Sequence, residues 1–426
     1  MARIRPERRT AVDLWITAAI VTIVLVVGVI VWANSPVRHT DSAQAAVPAV
    51  APQPATAVPA ALTPTWRATS SATDTPALTG ALVVTADDGA VVAHDPSDGH
   101  QVWHYRRDLA LCAVVAAWPT SSDEVLAAYR NARGCGEVTG LKGSTGQRVG
   151  ARSSDADNRV RLTPSSGYVV SQGPTRLESW GSNLVRGIEY GRIDAPVKPG
   201  VQPGREDCRL FSSAVGGDRI AVIEHCGTER GYRLTVLGAV LDKDETVQEY
   251  GSTLITEGTA GAPPVAMAMS SSGIAVYDGG ANPPAPPTDT PAAPRTPTIR
   301  QFSSDGVASA TNMVDGDASP PSSVPPVTAN GLTTVFTGRA TVVLDAQTVR
   351  PIYQVPGTIG TGDVMAGQLL LPTAAGVSVR DAATGRELRT IPFTRDGRAD
   401  EPVSLRVLGD TVVEQWGDTV QSYGPA

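Results

Sequence analysis

The chain has 426 residues, enough for two domains or one large β domain, and its formal charge is −7. Aromatic residues make up only 5% of it, whereas glycine (42) and proline (34) are plentiful. This composition favours many short strands joined by tight turns over a helical bundle. The acidic balance argues against nucleic acid and anionic lipid headgroups as electrostatic partners.

The first predicted element is a transmembrane helix over residues 14–33, a run without any charged residue. About 20 residues at a rise of 1.5 Å cover about 30 Å, the thickness of a bilayer's hydrocarbon core. Trp15 and Trp32 lie near its ends, where indole rings favour the membrane interface. Residues 1–13 form a basic tail that contains Arg3, Arg5, Arg8 and Arg9. Because positive charge stays on the cytoplasmic side, we expect a single-pass cell-membrane protein whose remaining residues lie outside the cytoplasm.

A cleaved signal peptide is the alternative interpretation of this run. The apolar part of a signal peptide is usually shorter, about 7–15 residues, and a cleavage site of small residues follows it closely. Here the run ends in Trp32, and the pattern Ala43-Gln44-Ala45 comes some ten residues later. No cysteine follows the run, which excludes a bacterial lipoprotein. We therefore favour an uncleaved anchor.

Residues 34–62 are predicted to be an Ala/Pro-rich linker. Its repeated prolines prevent a helix and favour an extended, semi-rigid spacer that holds the rest of the chain away from the membrane. Two further Pro-rich stretches, Asn282 to Pro297 and Ser319 to Pro326, interrupt the later sequence, and we expect the longer one to be a surface loop.

From residue 78 onward the sequence repeats. The copies at 81–105, 138–150, 332–355 and 368–393 each contain an apolar strand, a turn and a further strand. In three copies the turn starts with an acidic residue, namely Asp95, Asp345 and Asp381. Four residues after this position, three copies have a glycine, namely Gly99, Gly146 and Gly385. Asp accepts hydrogen bonds from nearby backbone N–H groups and glycine adopts positive φ, so we interpret these residues as turn formers and not as metal ligands.

The apolar clusters number eight, and the last one (402–423) has room for only three strands. Residues 63–69, TPTWRAT, could supply its fourth strand. We therefore predict an all-β fold: an eight-bladed β-propeller over residues 63–426, closed by pairing of its two ends. Seven blades remain the alternative if the weak unit at 159–190 or at 264–310 is not a blade.

The four cysteines are Cys112, Cys135, Cys208 and Cys226, an even number that indicates disulfides in an oxidising compartment. Four cysteines allow three pairings. Proximity in sequence favours Cys112–Cys135 and Cys208–Cys226, and neither pair has the CxxC spacing of a zinc site.

The AxDxxxG turn before an apolar strand, with Trp103 in the first copy, resembles the repeats of the quinoprotein-like (PQQ-repeat-like) β-propeller superfamily. That resemblance implies either a quinone-dependent dehydrogenase or a non-enzymatic scaffold. The chain lacks the adjacent cysteine pair of those dehydrogenases, and no calcium or base position can be matched. The layout of basic tail, single span, Ala/Pro linker and propeller also resembles a family of membrane-anchored actinobacterial propellers. The abundance of Arg and Ala with only three lysines agrees with a GC-rich actinobacterial genome.

A search for catalytic motifs yields no complete set. GxSxG, HExxH and P-loop patterns are absent from the sequence. The histidines are His39, His94, His100, His104 and His225; if His100 and His104 lie on one strand they share a face, which makes a weak metal site conceivable. We expect a non-catalytic scaffold for cell-envelope biogenesis that binds envelope or membrane proteins and needs no cofactor. The alternative is a propeller that binds a small molecule, glycolipid or redox cofactor in its channel.

Overall fold

The computed structural model describes residues 10–33, 35–193, 204–227, 229, 231–255, 262–280, 296–395 and 401–426. The four arginines of the basic tail and residues 281–295 of the longer Pro-rich stretch lie outside these residues. Near the amino terminus are α1 (Ala11–Ala33), a 3-10 helix (Pro36–His39) and β1 (Thr40–Ala43).

The helix α1 is long and apolar enough to cross a membrane. Its 23 residues correspond to about 35 Å. Thr10 and Asp13 cap its start reciprocally: the Thr10 N–H donates to Asp13 Oδ2 at 2.8 Å, and the Asp13 N–H donates to Thr10 Oγ1 at 3.2 Å. None of its side chains is buried against the rest of the protein, as expected for a helix whose solvent is lipid.

The remaining strands form eight sheets, the blades of a β-propeller. In this description a to d denote the strands of a blade from the innermost to the outermost. Blade 1 contains β3 (Ala77–Leu78), β4 (Val83–Asp87), β5 (Ala90–His94) and β6 (Gln101–Arg107), and blade 2 contains β7 (Leu111–Ala117), β8 (Glu124–Asn131), β9 (Gly134–Lys142) and β10 (Arg148–Ser153). Blade 3 contains β11 (Arg161–Pro164), β12 (Val169–Gln172), β13 (Arg176–Trp180) and β14 (Arg186–Gly191), and blade 4 contains β15 (Arg209–Gly216), β16 (Arg219–His225), β17 (Tyr232–Gly238) and β18 (Glu249–Ile255).

Blades 5 to 8 continue the ring in chain order. Blade 5 contains β19 (Val265–Met269), β20 (Gly273–Asp278), β21 (Thr298–Ser303) and β22 (Ala308–Met313), and blade 6 contains β23 (Val327–Ala329), β24 (Leu332–Phe336), β25 (Ala340–Asp345) and β26 (Pro351–Pro356). Blade 7 contains β28 (Asp363–Met365), β29 (Gln368–Thr373), β30 (Gly376–Asp381) and β31 (Glu387–Pro392). Blade 8 contains β32 (Val403–Leu408), β33 (Thr411–Trp416), β34 (Thr419–Pro425) and, as strand d, β2 (Leu62–Thr69). A short strand, β27 (Gly360–Thr361), lies beside β32, and β1 lies outside β6.

The eight-bladed propeller predicted from the sequence is confirmed. The two weak units both form four-stranded blades, blades 3 and 5, which rules out the seven-bladed alternative. The predicted closure is also present, because β2 pairs antiparallel with β34 from Leu62↔Pro425 to Thr69↔Thr419. Blade 8 therefore takes its outer strand from the other end of the chain, and the ring has no open end.

The propeller has two faces. One carries the a–b turns of all blades and the c–d turns of blades 1 to 7. Residues 44–61, which we call the strap, cross this face, so we name it the strap face. The other carries the b–c turns and the connections between blades, and we name it the connection face. Strand β1 runs antiparallel to β6 from Thr40, opposite Arg107 near the connection face, to Ala43, opposite His104. The chain therefore reaches the propeller at the connection face, and β1 then runs along the outer edge of blade 1 toward the strap face.

The strap is bound to the propeller at several points along its course. The N–H groups of Ala45 and Ala49 donate to the carbonyls of Thr145 and Ser144 in blade 2, both at 3.0 Å. Pro52 lies against Gly409 in the a–b turn of blade 8. Further on, Arg389 of blade 7 donates to the carbonyl oxygens of Val58 and Pro59 at 2.9 and 2.7 Å.

This course differs from the free spacer expected over residues 34–62. The prolines do keep the segment extended, but alanine side chains let its backbone approach the blades closely. Ala45 and Ala49 pack against the core cluster of blades 1 and 2, and Ala55 and Val58 against that of blades 7 and 8. Only residues 34–39 separate α1 from the first strand on the propeller, so the domain lies near the end of the helix.

The two disulfides join Cys112 to Cys135 within blade 2 and Cys208 to Cys226 within blade 4. These are the two pairings favoured by proximity in sequence, and both lie toward the connection face. They fit a domain outside the reducing cytoplasm.

We expect the double substitution Cys112→Ser and Cys135→Ser to lower the free energy of unfolding by about 3 kcal/mol, because the bridge closes a loop of 23 residues. Urea unfolding of the oxidised proteins measures this difference. The matched pair Cys208→Ser and Cys226→Ser, with a separation of 18 residues, should have a similar effect. An unchanged unfolding midpoint in both variants would contradict the expectation.

Candidate functional site

The repeat turns singled out in the sequence are the c–d turns of the strap face. The Asp345 Oδ1 accepts a hydrogen bond from the Thr348 N–H at 2.7 Å, and Asp381 Oδ1 accepts one from the Thr384 N–H at 2.9 Å. Asp95 Oδ1 accepts from the Ser97 N–H at 2.9 Å. Gly99, Gly146 and Gly385 follow with φ between +71° and +76°, and Val349 adopts +51° in the third copy.

Each of these glycines lies under an aromatic ring of the preceding blade. Trp66 covers Gly99, Trp103 covers Gly146, and Tyr353 covers Gly385, with no room for a Cβ atom. The ring's polar atom then donates to the same turn: Trp66 Nε1 to the Pro96 carbonyl at 3.0 Å, Trp103 Nε1 to that of Gly143 at 2.8 Å, and the Tyr353 hydroxyl to that of Ala382 at 2.7 Å. These contacts lock neighbouring blades together. The sequence predicts the turns, and tryptophans such as Trp66 and Trp103 indicate packing between blades. It does not show which ring covers which glycine, because the ring type and its spacing vary.

The histidines are engaged in local contacts. His94 bonds Thr85 and the Gly99 carbonyl, and burial lowers its pKa. His100 lies in the c–d turn of blade 1, where its bond to Asp98 raises its pKa. His104 lies on β6 and pairs with Asp41 of β1 at 3.3 Å. The structure therefore gives His100 and His104 different partners and does not form the metal site considered from their spacing.

A buried carboxylate joins blades 3 and 4. Glu224 is fully buried and accepts hydrogen bonds from the Tyr190 hydroxyl at 2.9 Å and from Thr235 Oγ1 at 2.5 Å, with Arg205 Nε at 3.7 Å. Burial raises the pKa of Glu224 above its ordinary value, and burial together with Glu224 raises that of Tyr190. Cys208 and Cys226 lie beside this carboxylate but are bonded to each other, so they cannot bind a metal as thiolates.

Because the pKa of Glu224 is raised in the folded state, the folded protein binds more protons than the unfolded one between the ordinary value of 4.5 and the raised value. We expect this group to make the protein less stable as the pH rises through that window. Urea unfolding at pH 5 and pH 7 should therefore give a smaller difference for Glu224→Gln than for the unchanged protein. A variant with the same pH dependence would show that Glu224 does not titrate in this way.

The central channel is crossed at the connection face. Arg161, at the start of the inner strand of blade 3, donates to Asp74 Oδ2 at 3.1 Å and to the Ser322 carbonyl at 2.5 Å. Asp74 belongs to the connection before blade 1, and Ser322 to the Pro-rich connection before blade 6. The shorter Pro-rich stretch of the sequence therefore contributes to the mouth of the channel.

Outside α1 and the strap, the large exposed apolar side chains of the described residues lie mainly along the rim of the strap face. They lie in the c–d turns or at the start of the outer strands of blades 2 to 7 and are between 41 and 64% exposed: Val149, Val185, Val240, Leu241, Val307, Ile352 and Leu388. In blade 1 the corresponding Val102 is half-buried and packs with Ala45 and Ala49 of the strap against one core cluster.

Comparison with known proteins identifies the fold. No protein-family model matches the chain, and no curated protein matches it in sequence. The crystal structure of BamB from Moraxella catarrhalis, a PQQ-like β-propeller, is similar with a TM-score of 0.51 and 11% identity, over 85% of this chain and 99% of BamB. The designed protein Ika8 is similar with a TM-score of 0.49 and 17% identity, over 90% of this chain and 100% of Ika8. The dihydro-heme d1 dehydrogenase NirN is similar with a TM-score of 0.46 and 13% identity, over 75% of this chain and 66% of NirN. At such identities the likeness to BamB shows a common fold alone.

Proposed function

We propose that this protein is a membrane-anchored, extracytoplasmic scaffold that binds proteins of the cell envelope through the rim of its strap face. The observation that carries the proposal is the repetition of exposed apolar side chains at one level of six consecutive blades. Contiguous exposed apolar side chains mark sites where a partner protein binds, and the corresponding Val102 of blade 1 is half-buried against the same core cluster as the strap residues Ala45 and Ala49. The BamB-like fold and the resemblance to membrane-anchored actinobacterial propellers agree with this role.

The apolar rim is tested by photo-crosslinking in cells. A photoreactive amino acid at Ile352 should crosslink to a defined envelope protein, whereas one at Ala374, in a b–c turn of the other face, should not. The variant Ile352→Asp with Leu388→Asp should lose that crosslink and show the envelope defect of a gene deletion, at an unchanged melting temperature. Leu254→Asp is the matched control, because Leu254 is an exposed apolar residue of an outer strand far from this rim. Equal effects of both substitutions would refute the proposal.

The second candidate function is the binding of a small molecule, glycolipid or redox cofactor. It is supported by an open cleft of about 530 Å³ between blades 5 and 6, whose lining includes Met313, Asp315, Arg339 and Gln354. A compound that copurifies with the protein and is lost in an Arg339→Ala variant would favour this function. Loss of function in a folded His100→Ala variant would likewise favour an enzyme or metal-binding protein over a scaffold.

A further inference from the structure

The reach of the chain between α1 and the propeller restricts how the domain can sit on a membrane. Six residues, 34–39, lie between Ala33 and Thr40, and four of them form a 3-10 helix. Seven Cα–Cα steps join Ala33 to Thr40, so with about 2 Å for each of the four residues in that helix and at most about 3.5 Å for each remaining step the reach is at most about 19 Å. Thr40 lies opposite Arg107, at the connection-face end of β6.

This reach excludes contact between the strap face and the membrane. Strand β6 has seven residues and is about 23 Å long, so Thr40 would stand about that far from a bilayer touching the strap face. The chain after α1 is too short to cover that distance. The connection face beside blade 1 is therefore the part of the propeller held next to the bilayer.

Exposed arginines cluster at this same corner. Arg106 is the last but one residue of β6, and Arg130 and Arg133 lie at the b–c turn of blade 2. Arg130 and Arg133 bond to neutral oxygens, the Asn158 carbonyl at 3.0 Å and Ser153 Oγ at 3.1 Å, which leaves their charges without a neutralising carboxylate in those bonds. Exposed Arg159 follows in the next connection.

A fifth arginine belongs to the membrane end of the corner. The Arg38 guanidinium lies 4.2 Å from the centre of the Trp32 ring at the end of α1, where tryptophan favours the membrane interface. The nearby exposed acids are Asp41, which pairs with His104 at 3.3 Å, Asp88, which pairs with Arg106 at 3.4 Å, and Asp108, which pairs with His39 at 2.9 Å. The exposed charge of the corner is thus positive, although the whole chain is acidic.

We propose that this corner, formed by Arg38, Arg106, Arg130, Arg133 and Arg159, rests on the membrane and binds the phosphate groups of anionic lipids. Charges farther away than about 10 Å are screened at physiological salt, so the local positive charge decides the contact and the net charge of −7 does not. Guanidinium groups suit phosphate because they donate several hydrogen bonds in one plane. The contact would orient the propeller so that the apolar rim points away from the lipid. It does not depend on the identity of any protein partner.

The test uses the full-length protein in nanodiscs with lipids that carry a quencher on the headgroup. A fluorescent amino acid is placed at Ala132, in the b–c turn of blade 2, or at Ala383, in the c–d turn of blade 7; both positions are exposed. In bilayers containing phosphatidylglycerol we expect quenching about threefold stronger at Ala132 than at Ala383, and weaker quenching at Ala132 in pure phosphatidylcholine. The variant Arg130→Glu with Arg133→Glu should lower quenching at Ala132 to the phosphatidylcholine level.

The control variant is Arg350→Glu with Arg386→Glu, which reverses the same charge in exposed positions of the strap face and should change nothing. Equal quenching at the two labelled positions would overturn the proposed orientation. Quenching at Ala132 that survives the reversal of Arg130 and Arg133, or that is equal in both lipids, would overturn the contact with anionic headgroups. Circular dichroism of each variant verifies that it is folded.

Discussion

A chain that begins at Ser70, and so lacks only the segments before the first full blade, is expected to lose the closed propeller. Strand β2 pairs with β34 along its length, Leu62 is buried in the cluster of blades 7 and 8, and Trp66 locks blade 8 to blade 1. Without β2, the outer edge of β34 and the apolar surface beneath Trp66 are exposed. We expect a loss comparable with the whole stability of a domain, about 5–15 kcal/mol. Size-exclusion chromatography and thermal unfolding should show aggregation or the absence of a cooperative transition.

The matched control begins at Leu62. It lacks α1, β1 and the strap but keeps the closing strand, and we expect it to be soluble, monomeric and cooperatively folded. Its melting temperature should be lower than that of a chain beginning at Ser35, because the hydrogen bonds of Ala45 and Ala49 and the contacts of Val58 are missing. If the chain beginning at Ser70 is as stable as this control, closure by β2 does not hold the ring together.

Much of the architecture could be predicted from the sequence because it depends on local signals that recur. The spacing of Asp345 and Asp381 from the following strands reveals the c–d turns, and the three-strand remainder at 402–423 points to residues 63–69 as the missing strand. The disulfide pairs follow from proximity because each closes a loop within one blade. In each case the chemistry of a short segment is enough to decide its structure.

The features that escaped prediction all depend on contacts between distant residues. The strap is made of alanine, valine and proline, a composition that also describes a free linker, and only the shape of the blades decides that it binds. Arg161 meets Asp74 and Ser322 across a ring whose parts are far apart in sequence. The arginine corner arises from single residues of several strands and turns, and the net charge of the chain conceals it.

The contact between the Trp103 ring of blade 1 and Gly146 of blade 2 should contribute strongly to the free energy of unfolding. In Gly146→Ala the new Cβ atom would lie 2.8 Å from the Trp103 ring, at a residue with φ of +72°. The left-handed conformation costs about 1–2 kcal/mol for a residue other than glycine, and overpacking adds about 1–3 kcal/mol. We therefore expect the free energy of unfolding to fall by about 2–5 kcal/mol. Urea unfolding measures it.

Gly367→Ala separates the two causes, because Gly367 has nearly the same φ, +75°, but no atom within 4 Å of the added Cβ. It should show the conformational cost alone. Trp103→Ala should lower stability by about 3–5 kcal/mol, since the ring is fully buried. Because removing the ring also removes the clash, the double variant of Trp103 and Gly146 should be more stable than the sum of the single effects predicts, by about 1–3 kcal/mol. Strictly additive effects, or equal effects of Gly146→Ala and Gly367→Ala, would show that the ring does not hold this turn in place.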